Sequence, residues 1–207
     1  MTSVDQLVVG FDLDMTLIDT APGFADLLRA LGTEIGVALP ADDLVKRLGP
    51  PIDVMLSPYV EAGDMARVTD RFRALYPTHA ITGVPALPGA YEAMAAVRDL
   101  GGRVIIATGK YPPNAQLHVD HLGFDIDHLE GWVWGAGKAD VLRAQGASVY
   151  VGDHVHDVEG AIAAGVVSVS VLTGGCSREE LLEAGTHVVL DSLVEFPAWL
   201  TDHLGER

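Results

Sequence analysis

The run Leu7-Val8-Val9-Gly10-Phe11, followed at once by Asp12-Leu13-Asp14, constrains this chain more than any other stretch. A short Val-rich run without polar alternation reads as a strand buried on both faces, and such strands belong to parallel sheets covered by helices. Ligands of parallel α/β sheets sit beyond the carboxyl ends of the strands, where these two acids fall. Like charges two residues apart in a tight turn call for a cation or a raised pKa, and hard carboxylate oxygens suit Mg²⁺. Taken alone, the pair is most simply an Asx-rich turn capping the next helix. Three later stretches reverse that reading.

Past Leu17 the pattern becomes helical. Ala21-Pro22 opens a segment in which Phe24, Leu27, Leu28, Leu31 and Ile35 keep helical spacing up to Gly36. Helical stretches follow at 41–48, 52–60 and 63–76, and no strand signal falls between Asp19 and Thr82. A block of this length is too long for an ordinary crossover, so it reads as an inserted cap. After the turn-rich linker Gly83–Gly89, strands are expected at 103–108, 129–134, 148–152, 166–172 and 186–190. They alternate with helices at 90–100, 113–122, 139–145, 158–164, 179–184 and 193–200. The expected fold is α/β: a Rossmann-like parallel-sheet core (1–19 and 84–207) with an inserted α-helical cap domain (20–83).

Composition narrows the partners. A chain of 207 residues can bury a proper core. Its formal net charge of −16 opposes tracking a nucleic-acid backbone, although one small phosphate can still be held by a metal and a few focused cations. No apolar run is long enough to span a membrane. Met1-Thr2-Ser3-Val4-Asp5 lacks the basic and apolar parts of an export signal, and Cys176 is the single cysteine; both fit a reducing cytoplasm. Only Lys46, Lys110 and Lys138 are lysines, so two of them near suspected sites carry weight. Oligomeric state leaves no mark in the sequence.

The strand ends gather the chemistry. The first carries Asp12 and Asp14, the second ends in Thr108-Gly109-Lys110, and a later one in Gly152-Asp153-His154-Val155-His156-Asp157, with Lys138 between the last two. Acids, a hydroxyl and lysines at strand ends suit phosphoryl transfer, where positioning and charge neutralisation dominate. In this order the chain resembles the haloacid dehalogenase superfamily, in its phosphoglycolate-phosphatase-like branch with a helical cap. Phe11-Asp12-Leu13-Asp14-Met15-Thr16-Leu17 resembles the first motif, Ile105-Ile106-Ala107-Thr108 the second, Lys138 the third and Gly152–Asp157 the fourth. The resemblance implies Asp12 as the nucleophile that forms an aspartyl-phosphate and Asp14 as general acid, then base. It implies Thr108 and Lys138 on the phosphoryl group. Asp12, Asp153 and the main-chain carbonyl of Asp14 would hold Mg²⁺, with Asp157 acting directly or through water.

Two departures stand out. Met15 replaces the usual Gly after the second acid, where Gly allows backbone angles that Met resists. Gly109 removes a side chain able to touch substrate. In the cap, Leu48-Gly49-Pro50-Pro51-Ile52 resembles the branch's substrate-facing loop, with Gly49 and Pro50 at its centre, and is equally a helix–helix turn. Lys110 is a site lysine or a turn cap; Lys46-Arg47 meets an anionic tail or is a solvated pair. His118, His121 and His128 read as solvated histidines, and His154 and His156 as rim residues.

The expected activity is Mg²⁺-dependent hydrolysis of a small phosphorylated metabolite, with phosphoglycolate as one candidate. A sugar phosphomutase and a non-hydrolytic phosphoacceptor module are the alternatives.

Overall fold

The computed structural model describes residues 6–48 and 50–205. Residues 1–5, on which the expectation of no export signal rests, and Gly49 of the Gly-Pro-Pro loop lie outside the described residues.

Six parallel strands form one sheet in the order β3-β2-β1-β4-β5-β6. They are β1 (Val8–Phe11), β2 (Arg103–Ala107), β3 (His128–Glu130), β4 (Val149–Gly152), β5 (Val167–Val171) and β6 (Val188–Leu190). β1 lies between β2 and β4, with Gly10 opposite both Ile105 and Tyr150. The strand order reverses at β1, so the space beyond its carboxyl end is a topological switch point, the usual ligand site of such sheets. Period two divides β1 between two cores. Val9 and Phe11 join the larger one, where Phe11 meets the Phe196 edge at 5.5 Å; Val8 joins Ile105, Leu142 and Tyr150 on the opposite face. A Cβ on Gly10 would lie 2.9 Å from both Leu142 and Tyr150, so glycine makes the room that Tyr150 fills.

Between β1 and β2 run α1 (Ala21–Ile35), α2 (Ala41–Val45), α3 (Ile52–Leu56) and α4 (Met65–His79). The spacing of Phe24, Leu27, Leu28 and Leu31 puts one stripe of α1 against α4, and this insertion has its own core with Leu56, Phe72 and Tyr76. Gly36, at φ 70°, closes α1 by donating its N–H to the Gly32 carbonyl. The helices are the expected ones, though α2 and α3 are shorter than the sequence spacing predicts.

The remaining helices are α5 (Ala90–Asp99), α6 (Pro112–Leu122), α7 (Lys138–Gln145), α8 (Val155–Ala164), α9 (Arg178–Glu183) and α10 (Phe196–Gly205). α8 starts three residues before the expected Val158, because His154 and Asp157 form a reciprocal cap at its N-terminus. β3 stops at Glu130, short of the expected 134. Gly131 packs so closely on the Lys110 carbonyl that a Cβ there would lie 2.6 Å from it, and the chain leaves the sheet with Trp132 at φ 57°. Among the described residues no helix is long and apolar enough to cross a membrane.

Candidate active site

Strand ends β1, β2 and β4 and the first turn of α7 meet at one cavity of about 790 Å³, roofed by α1, α3 and α4. Asp12, the first residue after β1, donates its backbone N–H to the Val151 carbonyl, which fixes the turn against β4. Lys138, its side chain only 3% exposed, binds Asp12 Oδ1 at 2.8 Å, Asp157 Oδ1 at 2.5 Å and the Tyr150 hydroxyl at 2.8 Å. Tyr150 in turn donates to the Ala107 carbonyl at 2.6 Å, tying Lys138 to the end of β2. Sequence reading missed Tyr150, because a tyrosine in an apolar strand looks like core. Tyr150→Phe is expected to cost about 1–3 kcal/mol, since it leaves buried polar groups short of a partner. Urea unfolding with an unchanged m-value would show it as a lower midpoint.

Asp12, Asp153 and Asp157 place carboxylate oxygens within 4.8 Å of one another, all buried. Thr16 donates to Asp153 Oδ1 at 2.9 Å, and the His154 N–H to Asp157 Oδ2 at 3.1 Å. Glycines make the packing possible: a Cβ on Gly174 would lie 1.8 Å from Asp153 Oδ2, and one on Gly152 2.3 Å from Asp157 Cγ. Three buried carboxylates face one ammonium. Burial, with the charges of Asp157 and Asp14, pushes Asp12 up to about 7 despite Lys138. Burial and the charges of Asp157 and Asp12 also hold Asp153 well above the usual carboxylate range. An all-oxygen set short of positive charge fits a hard divalent cation. The Asp14 side chain lies outside this trio.

Asp14 Oδ1 instead accepts from Lys110 Nζ and from the Thr20 hydroxyl, each at 2.5 Å. Although burial acts to raise it, Lys110 and Thr20 hold Asp14 below its ordinary pKa. Lys110 is thus a site lysine as well as part of the β2 turn, where its N–H donates to Thr108 Oγ1 at 3.3 Å. Its ammonium also sits 5.1 Å from the Tyr76 ring of α4. The expectation of a solvated His118 is overturned. α4 covers α6 there, His118 is fully buried, and its Nε2 lies 2.8 Å from the Tyr76 hydroxyl. Burial lowers its pKa to about 3, so it stays neutral. His121 is exposed, and His128 is half-buried beside Glu130.

Met15 takes the left-handed angle after all, φ 58°, and Thr173 donates to its carbonyl at 2.6 Å. The first departure therefore leaves the turn intact. Thr108, Gly109 and Pro50 line the cavity, as do His154 and His156. Lys46 pairs with Asp43 at 3.1 Å on an exposed surface and does not line it.

A parallel α/β core with acids and lysines at its switch point, under a helical insertion, defines a capped, phosphatase-like hydrolase. A family model described as haloacid dehalogenase-like hydrolase matches residues 9–161, and a second, HAD-hydrolase-like one matches residues 135–196. The chain belongs to the haloacid dehalogenase-like hydrolases. It is 31% identical over 201 residues to the tyrosine-protein kinase PtkA of Mycobacterium tuberculosis, covering 89% of this chain and 68% of that protein. It is 29% identical over 215 residues to the phosphoglycolate phosphatase of Rhodospirillum rubrum, covering 92% of this chain and 89% of that one. A haloacid dehalogenase-like hydrolase from Streptococcus pneumoniae superposes with a TM-score of 0.83 at 19% identity, over 95% of this chain and 99% of that one. This last likeness is one of fold alone.

Proposed function

We propose that the protein is a Mg²⁺-dependent phosphatase that hydrolyses a phosphomonoester metabolite through a phosphorylated Asp12. The observation that carries the reading is the buried Asp12–Lys138–Asp157 arrangement beside Asp153 at the end of β1. The phosphatase names of relatives such as the one from Rhodospirillum rubrum support it. The Asp12 carboxylate attacks phosphorus, the P–O bond to the alcohol breaks, and the alcohol oxygen takes a proton. Water then attacks the phosphorus of the aspartyl-phosphate, giving up a proton and restoring Asp12. Asp12, Asp153 and the main-chain carbonyl of Asp14 would hold the Mg²⁺, with Asp157 acting directly or through water, and the ion would supply the positive charge that ionises Asp12 and lets an anion approach a phosphate. Lys138 offsets charge on Asp12 and the phosphoryl group, and Thr108 donates to a phosphoryl oxygen.

Asp14 is the proton carrier. Paired with Lys110 it is ionised and suited to take the proton from water. Serving as acid in the first step requires Asp14 to exchange the Lys110 contact for the leaving oxygen. Residues 20–83 form the cap in this reading and residues 6–19 and 84–205 the described part of the core, the separate hydrophobic cluster of the helices being the reason for the boundary.

Phosphate release measured over a panel of phosphomonoesters tests the proposal. With Mg²⁺ turnover is expected, and a chelator is expected to remove at least about 10²-fold of it. Absence of release from every compound would overturn the reading. Conversion of a sugar phosphate to its isomer without free phosphate would replace it with the phosphomutase, and a stable phosphoprotein with the phosphoacceptor module.

A further inference from the structure

The proposed reaction leaves the alcohol half of the substrate undefined, yet most of the cavity belongs to that half. At about 790 Å³ it is in the range that encloses drug-sized ligands, roughly 300–1,000 Å³. A two-carbon acid phosphate would leave most of it to water. Much of the cap wall is apolar: Phe24, Ile52, Met55, Met65 and Phe72 face the cavity, with Thr69, Asp53, Asp70 and Arg73 as its polar members. The opposite wall is aromatic. Tyr111 and Trp132 pack with ring centroids 5.0 Å apart, and Trp134 lies against His156 at 3.9 Å. Both tryptophans line the cavity while remaining 62% and 40% exposed, so large apolar surface there is left for another molecule to cover. Gly109 belongs to the same wall. A Cβ at that position would lie 3.3 Å from Trp134 Cδ1, so the indole occupies the place where a longer side chain would project.

Charge points the same way. Among the described residues the Lys and Arg side chains lining the cavity are Lys138, Lys110 and Arg73. Lys138 is held by Asp12 and Asp157, Lys110 by Asp14, and Arg73 by Asp70 at 3.1 Å, with its guanidinium 4.9 Å from the Tyr111 ring. The cap side adds Asp53 and Asp70. A second anion on the substrate would meet Asp53, Asp70 and two lysines already held by site carboxylates, with Arg73 shared with the exposed Asp70, and burying it there costs free energy. A flat apolar group meets ring faces at which stacking is favourable.

We propose that the substrate is the phosphomonoester of a bulky, uncharged, ring-bearing alcohol, its organic part held between the α3–α4 wall of the cap and the Trp132–Trp134 segment. This rests on the phosphatase reading for turnover, but not for binding.

The test compares alcohols of similar acidity, so that leaving-group chemistry does not decide the outcome. With Mg²⁺, 2-phenylethyl phosphate is expected to exceed both ethyl phosphate and phosphoglycolate by about 10²-fold in kcat/KM, chiefly through KM. Trp134→Ala, which removes a half-buried indole of the cavity wall, is expected to cut that preference by about tenfold, and Trp132→Ala to act in the same direction. The non-hydrolysable 2-phenylethylphosphonate is expected to quench tryptophan fluorescence at concentrations where phosphonoacetate does not. Equal or better turnover of phosphoglycolate would overturn the proposal, as would a preference indifferent to both tryptophan substitutions. If nothing is hydrolysed but the phenylethylphosphonate alone binds, the phosphatase reading falls and the apolar site stands. If neither phosphonate binds and nothing is hydrolysed, both fall.

Discussion

Asp12→Asn is expected to lose at least about 10³-fold in phosphate release while folding as well as the wild type or better. The catalytic loss follows from chemistry: an amide oxygen cannot replace a carboxylate as the group that takes up the phosphoryl unit. The stability gain follows from the site's charge. In the folded protein Asp12 stands at about 7, raised by burial and by Asp157 and Asp14, against an ordinary value of 3.8. A carboxyl raised in this way binds its proton more tightly when folded, so its stabilising share is complete below about pH 4 and is lost as pH rises through about 7. Asparagine carries no such charge and still offers Lys138 an oxygen. In chelator at pH 8 the variant should therefore be the more stable of the two, and at pH 4 the two should coincide. Thermal unfolding at the two pH values reads this directly. A variant less stable than wild type at pH 8 would mean that the carboxylate is favourably placed even without a cation. Retained turnover would remove Asp12 from the chemistry altogether.

What the sequence made legible was whatever lies along one strand or helix. Asp12 and Asp14 follow an uninterrupted apolar strand, and Asp153 and Asp157 follow another. Parallel topology alone brings such ends together, and they are found there. The bounds of α1 were equally plain, because Ala21-Pro22 and Gly36 punctuate a clean helical stripe. The rest depends on contacts between distant segments. Nothing near Tyr150 in sequence marks it as the support of Lys138, and that the room it fills comes from Gly10 shows only in the strand register. His118 looked solvated because its partner Tyr76 lies in the inserted helices, 42 positions away. Lys110 was ambiguous for a similar reason, since Asp14 is 96 positions distant. Trp132 and Trp134 passed as strand residues. Their place in the cavity wall depends on the chain leaving the sheet at Gly131.

Lys138→Met should produce the largest loss of stability, and its pH dependence separates charge from packing. Methionine keeps most of the buried stem and removes only the ammonium, which neutralises Asp12 and Asp157 and holds the Tyr150 hydroxyl. Breaking a buried ion pair from one side typically costs about 3–5 kcal/mol. At about 2–4 °C per kcal/mol for a chain of this size, the midpoint should fall by about 6–20 °C. Lys138 acts to lower the pKa of both Asp12 and Asp153, which burial and neighbouring acids hold above their ordinary values. Its removal lets both rise further. Carboxyls raised on folding are stabilising below their unfolded value and lose that share as pH climbs through the folded one. The deficit relative to wild type should consequently stay level from about pH 4 to about pH 7, where Asp12 is protonated in both folded proteins, and widen above about pH 7 in chelator. A deficit equal at both ends would assign the loss to packing and not to charge. A divalent cation supplies positive charge to the same acids, so saturating Mg²⁺ should restore part of the lost stability at pH 8 and stabilise the variant more than the wild type. Activity should not return with it, because the cation cannot take the place of an ammonium 2.8 Å from Asp12 Oδ1 that is fixed from below by Tyr150.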